Sequence, residues 1–143
     1  MPPIGPDDHG RGEGEGLIVY ADLGCPHCAA AWAELVARPG RVVFRHFPVA
    51  GKHARSPALH AAAEAAGRQG RFFEMVDSLY ADRGHVDDPH LWERGERLGL
   101  DLERFERDRR SEQVAARVRR DFESGIRAGV TGTPATFGLG GGA

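Results

Sequence analysis

Cys25 and Cys28 are the only cysteines in the 143-residue chain. They enclose Pro26 and His27. An apolar, strand-like run, Leu17-Ile18-Val19-Tyr20-Ala21, leads into them, and a helix-like run, Ala29 to Val36, leads out. C-x-x-C between a strand and a helix reads as a redox dithiol. A thiol attacks as its thiolate. At the N-terminus of a helix, free backbone N–H groups and the helix dipole favour that form at Cys25. Pro26 suits the first helical position, where its absent N–H costs nothing. His27 adds an imidazole that can carry charge or donate a hydrogen bond. Cys28, about one turn on, is placed to attack a mixed disulfide at Cys25. Cys25 is then the nucleophile, His27 a tuner of potential and Cys28 the resolving thiol. Stabilising the thiolate makes the disulfide more oxidising, with about 30 mV corresponding to about 1.4 kcal/mol.

Thr133-Pro134 is the second candidate element. X-Pro is the one bond where cis is inexpensive. Beside a C-x-x-C, a cis proline can present the Thr133 backbone as an edge for an extended substrate segment. The rival use of C-x-x-C is structural zinc, which requires four ligands. There is no second cysteine pair. Among His46, His53, His60, His85 and His90, only His85 and His90 have suitable spacing, and they begin 57 residues beyond Cys28. No metal site is therefore expected.

These residues must be positioned by elements that the sequence also outlines. The length suits one domain with one core. With 41% hydrophobic and 28% charged residues the chain is globular, and a net charge of −2 gives no reason to expect nucleic acid or an anionic membrane as partner. No run approaches the 18 or so apolar residues of a membrane span. The first ten residues lack the features of a signal peptide. The expected location is thus the cytoplasm, or export or membrane tethering if the chain is a fragment. Residues 1–16, rich in Gly, Pro and charge, are expected to be a flexible tail. A strand is expected over about 17–22, then a helix from the motif to Pro39-Gly40, then a strand over 41–47. Strand, helix, strand with a short return implies parallel pairing.

Helices follow over about 56–128. Ser56-Pro57 reads as N-cap and first position. Phe72, Met75, Val76, Leu79 and Tyr80 recur at helical spacing. Asp88-Pro89 opens a helix carrying Leu91, Trp92 and Leu98, closed by Gly99. Asp101 caps a short turn, and Ser111 caps a last helix with Val114, Val118, Phe122 and Ile126 in line. These stripes are expected to be core. Ala135 begins another strand, and residues 138–143 form a Gly-rich tail.

Cys25-Pro26-His27-Cys28, Val43-Phe44-Arg45-His46-Phe47-Pro48 and Val130-Thr131-Gly132-Thr133-Pro134 together resemble the DsbA-like branch of the thioredoxin superfamily. Ala63-Glu64-Ala65-Ala66 and the segment Leu98 to Phe105 also match it. The resemblance covers roughly residues 17–137 and is strongest to bacterial domains, including those fused behind sodium/proton antiporters. It implies an α/β thioredoxin-like fold with an inserted all-helical subdomain. It also implies exchange of disulfides with protein thiols and disulfides, a further redox partner, and no cofactor beyond a redox-active Cys25–Cys28 disulfide. Asp22 matches the family's first-strand aspartate near the buried cysteine. An acid there could shuttle a proton for Cys28, and a plain strand-end aspartate is the other reading.

The family continues past its cis proline with further strands and a helix, whereas nine residues follow Pro134 here. The expectation is that the C-terminal strand and helix are missing. An open edge at Ala135 then invites a homodimer. That departure keeps a second function in view, a non-catalytic binding or assembly module on the same scaffold. A glutathione-dependent isomerase or transferase of related fold is disfavoured by the intact cysteine pair.

Overall fold

The computed structural model describes residues 4–138. Met1 to Pro3, and residues 139–143 of the expected Gly-rich tail, lie outside the described residues. The elements run β1 (His9–Arg11), β2 (Gly16–Ala21), α1 (Pro26–Ala37), β3 (Arg41–His46), α2 (Ser56–Gly67), α3 (Phe72–Ala81), α4 (Asp88–Arg97), α5 (Leu102–Arg109), α6 (Glu112–Arg127) and β4 (Ala135–Gly138). The fold is thioredoxin-like: one mixed four-stranded sheet with a block of helices between β3 and β4. None of the described helices is long and apolar enough to cross a membrane.

The sheet order is β1-β3-β2-β4. β2 and β3 run parallel, with Leu17 opposite Val42 and Val19 opposite Phe44, as the short α1 crossover requires. β4 pairs antiparallel with β2, and β1 antiparallel with β3. Among the described residues, the outer edge of β4 carries no further strand.

Side chains alternate across the pleat. Val19, Ala21, Val42 and Phe44 enter the larger core with Trp32, Leu59, Phe72, Met75 and Leu79. Ile18, Tyr20 and Val43 enter a smaller core with Phe47 and Val130. α6 approaches that second face closely. A Cβ on Gly125 would lie 2.8 Å from the Phe47 ring and 3.0 Å from the Tyr20 ring, so the helix can sit there only because that residue has no side chain. Buried Arg45 on the same face is held by Asp8 at 2.8 Å and donates to the Tyr20 hydroxyl at 2.8 Å.

Several expectations need correction. Residues 1–16 are not simply a flexible tail, because His9–Arg11 forms β1 on the edge of β3. Short apolar content hid it, since its partners are a stacked ring and ion pairs: His9 stacks on Phe72 with centroids 3.6 Å apart, and Arg11 pairs with Asp77 at 3.1 Å. Gly138 belongs to β4, opposite Leu17, and not to a tail. Ser56 does not cap α2. It is the first helical residue, and its buried hydroxyl is turned toward Asp22. α4 does begin at Asp88-Pro89, and Asp87, just before it, caps the helix by accepting from the His90 N–H. Trp92 and Ile126 face solvent, 40% and 55% exposed, so neither is core. Asp101 and Ser111 cap α5 and α6 as the sequence indicates.

Candidate active site

Pro26 opens α1 and leaves Cys25 as the residue just before the helix, in extended conformation. The Ala29 N–H donates to the Cys25 carbonyl at 3.1 Å, which closes the first helical turn. Both cysteines are thiols and buried, Cys25 5% and Cys28 1% exposed. Pro26 and His27 face solvent. The motif therefore projects its two central residues outward and keeps both sulfurs in a nearly dry pocket. The Asp22 N–H donates to the Cys28 sulfur at 3.5 Å. Burial pushes the Cys28 thiol up to about 12, while that N–H and Thr133, in hydrogen-bonding reach of the sulfur, work the other way. A thiol so placed stays protonated until a partner draws the proton away.

Thr133 thus reaches Cys28, which sets the Thr133-Pro134 segment beside the motif, and the Thr133–Pro134 bond is cis. Cys25, Cys28 and Thr133-Pro134, expected from the sequence to cooperate, share one site.

Asp22 lies directly beneath the motif and is fully buried. Its Oδ1 accepts from the Ser56 hydroxyl at 2.5 Å and the Gly24 N–H at 3.0 Å, and its Oδ2 accepts from the Val49 N–H at 3.0 Å. Its carbonyl accepts from the Cys25 N–H at 3.1 Å and the Tyr80 hydroxyl at 3.0 Å. Burial alone would raise the carboxyl, but the neighbouring His60, Ser56 and Gly24 outweigh it and lower it to about 2. A carboxylate so firmly ionised is a poor proton acceptor. The arrangement fits an anchor that ties the motif loop to the start of α2 and the segment after β3, which favours the structural of the two readings open for this aspartate over the proton shuttle.

The sequence reading did not single out four further polar groups behind Asp22. The Leu23 N–H donates to His60 Nε2 at 3.0 Å. His60 Nδ1 meets His46 Nδ1 at 2.7 Å, and His46 Nε2 meets Glu64 Oε2 at 2.9 Å. His9 Nε2 also reaches Glu64 Oε2, at 2.8 Å. The two ends fix the protons of the chain. A backbone N–H can only donate, so His60 Nε2 holds a lone pair and its proton is on Nδ1. A carboxylate only accepts, so the His46 proton is on Nε2 and its Nδ1 receives from His60. These two ends agree, while the longer approach of His60 Nε2 to Asp22 Oδ1, at 3.4 Å, calls instead for a proton on Nε2, so the chain has a second proton order within reach. The available signal was compositional: Arg45 and His46 interrupt an apolar strand, and Glu64 interrupts an alanine-rich helix.

Burial holds His60 down to about 4. Burial works against the Glu64 carboxylate, but His46 and His9 outweigh it and hold that carboxyl well below its usual range. All three depressions act in one direction. Between pH about 6.5, where an unfolded histidine takes up its proton, and about 2, the unfolded chain binds more protons than the folded one. The stabilisation is complete above about 6.5, falls first with His60 down to about 4, and falls further as the carboxyls protonate. Urea midpoints should therefore hold above pH about 6.5 and decrease steadily from there to about 4. A midpoint constant over that range would contradict this.

Comparison with known proteins agrees with the geometry. Residues 16–142 match the DSBA-like thioredoxin domain. Among curated relatives, a Na(+)/H(+) antiporter NhaA 1 of Salinispora arenicola is 38% identical over 96% of this chain, and a Na(+)/H(+) antiporter NhaA of Herminiimonas arsenicoxydans is 37% identical over 95%. The chain spans only 22% and 23% of those two proteins. Among solved structures, a thioredoxin-like oxidoreductase from Silicibacter pomeroyi superposes with a TM-score of 0.81 at 26% identity, covering 94% of this chain and 82% of that one. Wolbachia pipientis alpha-DsbA1 is alike in fold, with a TM-score of 0.75 at 20% identity over 94% of this chain and 75% of its own. By sequence match and by fold, the chain belongs to the DSBA-like thioredoxin domain family.

Proposed function

We propose that this chain exchanges disulfides with protein substrates through Cys25-Pro26-His27-Cys28. The observation that carries the reading is the stacking of three elements: Cys25 at the start of α1, Cys28 buried one turn on, and Thr133 in reach of the Cys28 sulfur. In the reducing direction, the Cys25 thiolate attacks a substrate disulfide. A Cys25–substrate disulfide forms, and one substrate sulfur leaves and takes up a proton. Cys28 then loses its proton and attacks the Cys25 sulfur, which releases the second substrate thiol and leaves a Cys25–Cys28 disulfide. Two electrons pass from the dithiol to the substrate. The same steps in reverse oxidise a substrate dithiol.

Exposed His27 stands where it can meet an incoming substrate and bias the thiolate. Thr133-Pro134 offers the backbone edge along which the substrate segment lies. An apolar groove of about 290 Å³, lined by Pro48, Pro57, Ala61, Val118 and Phe122, starts beside the residues that anchor Asp22 and suits the apolar side chains of an unfolded substrate. The test is oxidative refolding of a reduced, denatured protein by the oxidised chain, with Cys25→Ser as control. Recovery of native disulfides with the parent and none with the variant is expected. Equal recovery with both would overturn the proposal.

A further inference from the structure

We infer that His9, His46 and Glu64 form a divalent transition-metal site of the zinc class, separate from the dithiol. His9 Nε2, His46 Nε2 and Glu64 Oε2 all lie within 4.8 Å of one another. They come from three elements far apart in the chain: the edge strand β1, the end of β3 and the middle of α2. Two imidazole nitrogens and one carboxylate oxygen suit Zn²⁺ and its neighbours better than Mg²⁺ or Ca²⁺, which favour all-oxygen sets.

The distances are close to what such an ion requires. Ligands about 2.0–2.2 Å from a tetrahedral Zn²⁺ stand about 3.3 Å from each other. The two nitrogens now lie 2.8 and 2.9 Å from the shared oxygen. Opening those two contacts by a few tenths of an ångström, while the two nitrogens, now within 4.8 Å of each other, turn toward a common point, admits the metal. β1 is three residues long and lies on the sheet edge, so His9 can shift with its strand while its ring slides along the face of Phe72. The side chains of His9 and Glu64 are 19% and 10% exposed, which gives an entry path and a fourth position for water.

A supporting shell is also built. Ligating histidines commonly use their other ring nitrogen in a fixed hydrogen bond. The His46 Nδ1 has such a partner in His60 at 2.7 Å. The His9 ring is held flat against Phe72, with the rings 6° from parallel. Arg117 stands 3.6 Å from the second oxygen of Glu64, but its charge is already met by Asp121 at 2.6 Å.

Occupancy has a consequence for the motif. To bind metal through Nε2, His46 must carry its proton on Nδ1. His60 must then receive at Nδ1 and carry its own proton on Nε2, where Asp22 Oδ1 waits at 3.4 Å. The proton order of the whole chain reverses, and the Leu23 N–H loses its acceptor two residues before Cys25. The metal site is thereby wired to the dithiol loop.

The test uses untagged protein carrying Cys25→Ser and Cys28→Ser, so that no thiolate can take the metal. Calorimetric titration with Zn²⁺ should show one ion bound per chain. Titration with Co²⁺ should give visible d–d bands without a thiolate charge-transfer band. Adding His9→Ala should weaken Zn²⁺ binding at least about tenfold, comparable to losing even a supporting partner at known sites. Arg11→Ala, on the same strand but outside the triad, should leave it unchanged. Absence of saturable binding in the folded double variant would overturn the inference. So would binding that His9→Ala leaves intact, as at the surface pair His85 and His90, or equal loss in Arg11→Ala.

Discussion

Replacing Cys28 with serine is expected to stop disulfide exchange halfway and leave the chain covalently joined to its substrate through Cys25. The first attack needs only Cys25, just ahead of α1. The second needs a thiol behind it, and Cys28 is the only other one in the chain. Serine keeps the volume and the hydrogen bond from the Asp22 N–H but cannot displace a disulfide at neutral pH. Turnover should fall to the uncatalysed background, while a mixed disulfide appears on non-reducing gels and disappears with dithiothreitol. Cys25→Ser should reach the same background with no adduct. If Cys28→Ser turned over normally, the buried thiol would not be the resolving group. If Cys25→Ser formed the adduct instead, the two roles would be exchanged.

Asp22→Ala is expected to cost about 3–5 kcal/mol of folding stability, the range for stripping one partner from a buried charged network. The loss exceeds one hydrogen bond because the donors remain. The Ser56 hydroxyl and the N–H groups of Gly24 and Val49 would all lose their acceptor. Asp22→Asn should recover little, because its amide NH₂ would point at donors where the carboxylate accepted. Urea unfolding of both variants against the parent checks this. A loss under about 1 kcal/mol for Asp22→Ala would show that the carboxylate is not the anchor of the loop.

The candidate site was legible because most of it sits in consecutive residues with strong local signals. Cys25 to Cys28 stood out between an apolar run and an alanine-rich run, and Thr133-Pro134 was marked by its proline. The helices were legible from periodicity and from caps such as Asp101 and Ser111. Long-range polar pairing was less accessible. Ser56 looked like a cap because serine before proline usually is one, yet its hydroxyl crosses to Asp22, 34 residues earlier. His9 looked like tail because β1 is held by ring stacking and charge, which leave no apolar pattern. Trp92 and Ile126 fell on periodic faces, but their helices turn those positions outward. His46, His60 and Glu64 are separated by 14 and 4 residues, and only the parallel sheet and α2 packed on it bring their ring and carboxylate atoms into one line.

The short strand His9–Arg11 has a practical meaning for where this domain can be cut. Starting the polypeptide at Leu17, the natural choice from sequence, would strip β1 from β3. The backbone row opposite His9, Gly10 and Arg11, at Phe44, Val43 and Val42, would lose its hydrogen-bond partners. An apolar strand with an open edge is a template for a strand from another molecule. A shortened domain would therefore trade an internal seam for an intermolecular one, with clumping as the visible result. The leading segment works as a selvedge that keeps the sheet from fraying into its neighbours.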